Sequence, residues 1–398
     1  MSKSRLLCRI MAFWFLVICL IPVNSLFAAD RTEIRVGTIN SLTGVNAMTA
    51  SEHLWAYKQA IKDINDKGGV FVKEYNKRLP IRLIVADDKS MPDQGAAAME
   101  RLIKLDNIDF GLSSNITPIN LAAGTVCEKY KVYYQIVVSF IDFIEKENFK
   151  WVSAFFADTR DIAPGPFIAF NTIPENKRPK KLALLMEDNV DGQGFGMGFK
   201  ATAPKFGYEF VVDEPFAPGT KDFSSHLLKY KYAGVDAVIA LMPPTDSITL
   251  LRQMYEQNVL PLIYGFKGFW PREFEQAMGE KADYVIHDGF WSSRNGAPGS
   301  AELQERFIKE FNRDSVSVGL SYANPQILAM AIERAGTLDA AKVRDEVFGG
   351  EFKGTVMGDV KYNKKGLASM QFLGLQWWHG DRMPVYPPLP GGPKIQVR

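Results

Sequence analysis

The chain predicts an α/β protein made of two successive halves, each a parallel sheet with helices on both faces. Three observations predict it. Short apolar, β-branched stretches alternate with segments whose apolar residues recur at helical spacing. This alternation runs to about residue 140 and starts again near residue 181. At 398 residues, 46% hydrophobic and 23% charged, the chain also has ordinary globular composition and is too long for one small core.

In the first half, "EIRVGTI" (residues 33–39) is a strand, and the loop "NSLTGVNAMTAS" leads into a helix on which Leu54, Tyr57, Ile61 and Ile64 form one apolar face. "KGG" closes that helix, with Gly68 or Gly69 suited to a left-handed cap. "IRLIVADD" (81–88) is the next strand, followed by a helix over about 94–105. "FGLS" is a short strand, "NLAAGTVCEKY" a helix and "VYYQIVVS" a strand. In the second half, "KLALLM" (181–186) is a strand and 195–206 a helix. "YEFVVDE", "FSSHLLKYKY", "DAVIALM" and residues 246–257 then read as strand, helix, strand and helix. Ligands collect at the carboxyl ends of strands in open parallel sheets. The candidate ligand loops are therefore those after Ile39, Leu112, Val138, Met186, Met242 and Gly265.

Residues 1–29 have the layout of a secretory leader. Lys3, Arg5 and Arg9 precede an apolar run over 10–21, then Pro22, with Ala28 and Ala29 before Asp30. This predicts cleavage near Ala28 or Ala29 and a periplasmic protein, with an uncleaved amino-terminal anchor as the alternative. No later apolar run approaches the ~20 residues of a spanning helix. Beyond the leader 44 basic residues face 45 acidic ones, which excludes a phosphate-backbone footprint and hence a nucleic-acid partner. Cys8 and Cys19 lie in the leader, so Cys127 has no disulfide partner and reads as a small buried residue on a helix.

The alternating glycines of "DGQGFGMGF" (191–199) follow a strand and open a helix, but Met197 and Phe199 occupy the third-glycine positions of a dinucleotide fingerprint. Close packing at a helix start is the better account. His53, His226, His287 and His379 show no metal-ligand spacing, and no nucleophile, base and orienter assemble. No metal, cofactor or catalysis is expected. Asp87–Asp88 reads as capping a turn or helix. The loops are instead rich in hydroxyl and amide groups. Ser113, Ser114, Asn115 and Thr117, with the free N–H groups of the following helix, suit a carboxylate or serve as its N-cap. "SLTG" and "VVSF" end equivalent strands and converge on the same cleft.

The stretches "IRVGTINSLTG", "YKQAIKDINDKGG", "LIVADDKSMPDQGAA", "GLSSNITPINLAAGTVCEKYKV", "GTKDFSSHLLKYKYAGVDAVIA", "SYANPQILAMAIERAG" and "FKGTVMGDVKYNKKG" together resemble the branched-chain amino acid family of periplasmic substrate-binding proteins of ABC importers. The resemblance spans nearly all of the chain after the leader. It implies the type I periplasmic binding protein fold, two Rossmann-like lobes joined by three crossing segments, here near 151–157, 283–290 and 352–360. One lobe would hold 30–152 and about 286–354, the other 153–285 and about 355–398. The family implies a monomer that closes around a small molecule by hinge motion and delivers it to an inner-membrane permease. A periplasmic sensor module is the alternative use of the same fold.

Position by position, the resemblance assigns ligand contacts to Ser113, Ser114, Thr117, Val138 and Ser139. The family's aromatic wall falls at Thr49, with His53 or Trp55 as substitutes, and two tyrosine positions fall at Asp191 and at Pro243–Pro244. Lys267 stands where relatives keep a glutamate for the ligand's ammonium. A lysine there repels an ammonium and attracts an anion. This implies a small carboxylate, an aromatic or branched acid, with Phe140, Phe266, Phe269 and Trp270 around it. The alternatives are an amino acid or amide held by Asp191 or Asp158, and a Lys267 paired with a protein carboxylate.

Overall fold

The computed structural model describes residues 31–294, 296–388 and 392–398. The leader and its cleavage site lie outside the described residues. Residues 31–33 belong to a separate amino-terminal unit, and the fold is that of residues 34–398.

Two sheets organise the chain. The first has six strands in the spatial order Leu367–Ser369, Val152–Phe156, Tyr133–Val137, Phe110–Leu112, Ile34–Asn40 and Ile81–Asp87, all parallel. The second has seven, in the order Asp381–Tyr386, Leu373–Trp378, Ile286–Gly289, Leu262–Lys267, Ala237–Met242, Lys181–Glu187 and Glu209–Phe216. Its first two strands join antiparallel and the rest are parallel. Tyr133–Val137 and Ala237–Met242 are buried along their whole length, as central parallel strands covered on both faces are. In each sheet the first five strands of the lobe lie in the order 2-1-3-4-5. That doubly wound order places a topological switch point, where loops diverge and leave a crevice, beside the first strand of each lobe.

Sheet membership moves the expected lobe borders. Val152–Phe156 pairs with the first sheet, so the first crossing begins after Phe156. Ile286–Gly289, expected in the first lobe, pairs with Leu262–Lys267 in the second sheet, so the second crossing begins at Phe290. Residues 352–360 do not cross. They form the hairpin of Glu351–Thr355 with Gly358–Lys361, which packs against helix Val318–Ala335. The chain then adds Leu367–Ser369 to the edge of the first sheet, and the third crossing falls at 370–372.

Local boundaries also differ. The helix expected over 195–206 is Val190–Thr202, begun by Asn189, whose side chain accepts from the Gly192 N–H. A Cβ on Gly192 would sit 1.8 Å from the Glu187 carbonyl, and one on Gly194 would sit 1.9 Å from the Phe143 ring. Close packing therefore explains these two glycines, while Gly196 and Gly198 have ordinary room. Cys127 is buried in helix Thr117–Tyr130.

Candidate functional site

The carboxyl ends of both sheets face a common cavity of about 40 Å³. Thr49, Asn115, Ile116, Thr117, Val138, Phe140 and Phe156 line it from the first lobe, and Asp191, Leu241, Lys267, Trp270, Asp288 and Phe290 from the second sheet and its crossing. Beside it the Phe140 ring of the first lobe stands 4.5 Å, centre to centre, from the Phe195 ring of the second, so the lobes are closed on one another. A larger groove, about 560 Å³, opens at the amino ends of the second-sheet strands beside Lys177, Lys231, Asp236 and Asn258. It lies away from both switch points and from the converging acids.

On the first-lobe side, helix Thr117–Tyr130 points its amino end at the cavity. Its N-cap residue is Ile116, which has no capping side chain, and Pro118 follows in the first turn. The first N–H groups of such a helix, with its dipole, favour a carboxylate or other anion. Asn115 donates to the Thr49 hydroxyl at 2.8 Å, while its own carbonyl oxygen is buried without a partner. Val138 takes φ +56°, a costly conformation for a β-branched residue, and this turns the chain at the cavity wall.

Five of the expected site residues stand behind this wall instead of in it. The Ser113 hydroxyl binds the Val137 carbonyl and amide, and the Ser114 hydroxyl donates to Asp88 at 2.7 Å. Ser139 accepts from Asn120, whose amide also holds Ser114. These hydroxyls are engaged within the lobe and fix the loop carrying Asn115 and Thr117. Asp88 also accepts from Ser41, and Asp87 from Thr43 and Lys89, so the acid pair ties loops together as expected of caps. His53 has both ring nitrogens engaged, by Ser321 and by the Ser113 carbonyl, and burial lowers its pKa to about 4. It is a neutral core histidine. Pro243 starts helix Pro244–Glu256 and does not reach the cavity.

The second-lobe side is charged. Lys267 lines the cavity, with φ +64°, but its ammonium lies 2.8 and 2.9 Å from the two carboxylate oxygens of Glu187. Glu187 is fully buried and the Lys267 side chain is 14% exposed. The positive charge expected in the cleft is thus neutralised inside the protein. Asp191 and Asp288 remain, each with a buried Oδ1 that has no partner. Burial raises Asp191 to about 7, opposed by Lys267 and reinforced by Glu187. Burial raises Asp288 to about 8, opposed by the Lys267 backbone N–H at 3.4 Å. Glu187 and Asp288 were not foreseen. The signal for Glu187 is an acid closing the apolar strand "KLALLME", whereas Asp288, one residue before the end of "IHDG", carries no such signal.

The aromatic wall comes from Phe140, Phe156, Trp270 and Phe290. Trp55 instead packs against Phe307 and Phe311, Phe266 against Phe195 and Phe199, and Phe269 against Phe274. Asp158 caps the helix Thr159–Ile162 and is held by Arg160.

Two sheets of one winding order, closed on a cavity at their switch points, with crossings at 157, 290 and 370–372, define a two-lobed binding protein. The sequence matches the family described as Periplasmic binding protein over residues 33–378, and the chain belongs to that family. It is 24% identical over 371 residues to Leu/Ile/Val-binding protein homolog 2 of Brucella abortus, covering 92% of this chain and 96% of that one. Among solved structures it is similar to the branched-chain amino acid transporter substrate binding protein LivJ from Streptococcus pneumoniae in complex with isoleucine, with a TM-score of 0.77, 19% identity and coverage of 88% and 98%. It is also similar to a solute binding protein of an ABC transporter from Rhodopseudomonas palustris BisB5 in complex with 3,4-dihydroxybenzoic acid, with a TM-score of 0.73, 20% identity and coverage of 88% and 95%. The protein is a binding protein, not an enzyme. Members of the family are exported, and no helix among the described residues is long and apolar enough to cross a membrane.

Proposed function

We propose that the protein is the extracytoplasmic solute-binding component of an ABC importer, and that its ligand is a small zwitterion, an amino acid with an apolar side chain, handed to a membrane permease. One observation carries this reading: Asp191 and Asp288, each with one unpartnered buried oxygen, line the same cavity as the uncapped helix start at Thr117. Acceptors on one side and N–H donors on the other match an ammonium and a carboxylate. Buried carboxylate oxygens without partners are costly, and an ammonium placed between them lowers that cost. The apolar wall suits the side chain. The names of the leucine-, isoleucine- and valine-binding relatives and the isoleucine-bound neighbour support the same chemistry.

The four aromatic rings favour one second reading, an aromatic carboxylic acid, as in the dihydroxybenzoate-bound neighbour. With that ligand, Asp191 and Asp288 would have to stay protonated and donate.

Thermal unfolding with L-isoleucine, L-phenylalanine, their deaminated acids and 3,4-dihydroxybenzoate separates the two. A ligand at 100 times its Kd adds about 2.7 kcal/mol. The zwitterion reading expects stabilisation by an amino acid and none by its deaminated partner. It also expects Asp191→Asn to weaken amino acid binding about 100-fold by titration calorimetry, the scale of removing one partner of a buried charged pair. Stabilisation by the acids alone would establish the second reading instead.

A further inference from the structure

Residues 312–317 join helix Ser300–Phe311 to helix Val318–Ala335, both packed with Trp55 and Ala56 of the first lobe. Two neighbouring charges of this turn reach in different directions. Arg313, with a side chain only 6% exposed, pairs with buried Glu52 of the first lobe and, at 2.5 Å, with Glu273 of the second. Ser315 and Ser317 also donate to Glu52. Asp314 receives Arg272, whose Nε lies 3.0 Å from its Oδ1, and Arg382, both from the second lobe. The two arginines are fixed on their own side, with guanidinium groups 4.8 and 4.4 Å from the Trp377 ring.

We propose that Arg313 and Asp314 form a latch between the lobes, which holds the closed form together without ligand and sets the rate at which ligand leaves. This rests on the reading that the lobes close around a ligand. Three features support it. The cross-lobe pairs are largely shielded from water, where ion pairs are screened little by salt. Parting the lobes breaks Arg313–Glu273 and both Asp314 pairs, and leaves Glu273, Asp314 and Arg382 without their charged partners. Arg313 keeps Glu52, and Arg272 keeps Glu275 at 3.4 Å. The two acids that lose their arginines border solvent, and Arg382 keeps the Trp270 carbonyl, so the pairs can part and re-form. Finally, the latch touches the ligand cavity. Arg382 donates to the Trp270 carbonyl at 2.7 Å, and Trp270 is a cavity wall two residues before Arg272.

The test uses small-angle X-ray scattering of the ligand-free protein, which needs no ligand assignment. Asp314→Asn, at a partly exposed position, is expected to shift the population from a compact to an extended form. Arg272→Gln is expected to do the same from the other lobe, and the double variant is expected to add little to either single one. Asp314→Glu should restore compactness. Glu52→Gln, inside the first lobe, should lower thermal stability without the same extension. With L-isoleucine as probe, Asp314→Asn should raise the dissociation rate about tenfold and leave association nearly unchanged. Unaltered scattering for both Asp314→Asn and Arg272→Gln would overturn the latch. Extension on substitution without isoleucine binding by any form would uphold the latch and refute the ligand reading alone.

Discussion

At the carboxyl ends of its strands the first lobe carries Ser113, Ser114, Asn120 and Ser139, bonded to one another and to Asp88. At the matching ends the second lobe carries Glu187, Asp191, Lys267 and Asp288, of which only Glu187 and Lys267 form an ion pair. The backbone device is shared. The fourth strand of each lobe is closed by a non-glycine residue at positive φ, Val138 in one and Lys267 in the other. What differs is where polar groups are satisfied. The first lobe spends its hydroxyls on itself and offers a ligand backbone N–H groups, whereas the second leaves carboxylate oxygens open. The first lobe lines the cavity with uncharged side chains and the second adds Asp191, Lys267 and Asp288, so the proposed zwitterion would have its two ends read by different physics.

Breaking the ion pair tests this contrast most severely. Lys267→Met leaves Glu187 buried without a cation, which is expected to cost about 3–5 kcal/mol of stability in urea unfolding. A loss below about 1 kcal/mol would mean that water reaches Glu187 and the second lobe is not the low-dielectric site described. Ser114→Ala probes the first lobe. It removes a donor from buried Asp88, at an expected cost of about 1–3 kcal/mol, while amino acid affinity by calorimetry changes less than about threefold. A large affinity loss at unchanged stability would make Ser114 a ligand contact after all.

The pH dependence tests the same contrast without a substitution. Asp191 and Asp288 have folded values of about 7 and about 8, above the ordinary carboxylate value of about 3.9. Between those limits the folded, empty protein holds protons that the unfolded chain has released. Their stabilising contribution is therefore present below about pH 4 and is lost as pH rises through 7 and 8. An ammonium ligand requires the ionised acids, so its affinity should rise from pH 6 to pH 8, by at most about tenfold per unit for each proton displaced. Calorimetry and thermal melts across this range check both directions. Affinity that is flat while empty-state stability rises would contradict the assignment of these two acids.

Much of the site's location was legible, and less of its chemistry. Thr49, Asn115, Thr117, Val138, Asp191 and Lys267 line the cavity, because strand ends can be read from apolar runs and ligands collect there. Ser113, Ser114, Ser139 and His53 carry equally suitable atoms, but sequence does not reveal which of them already have partners. Lys267 shows the same limit: its charge was visible, while its neutralisation by Glu187, 80 positions away, was not.

Two α/β halves, the absence of metal-ligand spacing, and the loops that meet at the cleft were legible in the linear string. These follow from periodicity and local composition, which act over a few residues. The tertiary structure decided the third crossing, because the strand pairing of Leu367–Ser369 with Val152–Phe156 spans more than two hundred residues. It also decided the sign of the cleft. Charge balance in a buried site is a sum over groups brought together from distant segments, and burial, which a linear string does not carry, sets how strongly each one counts.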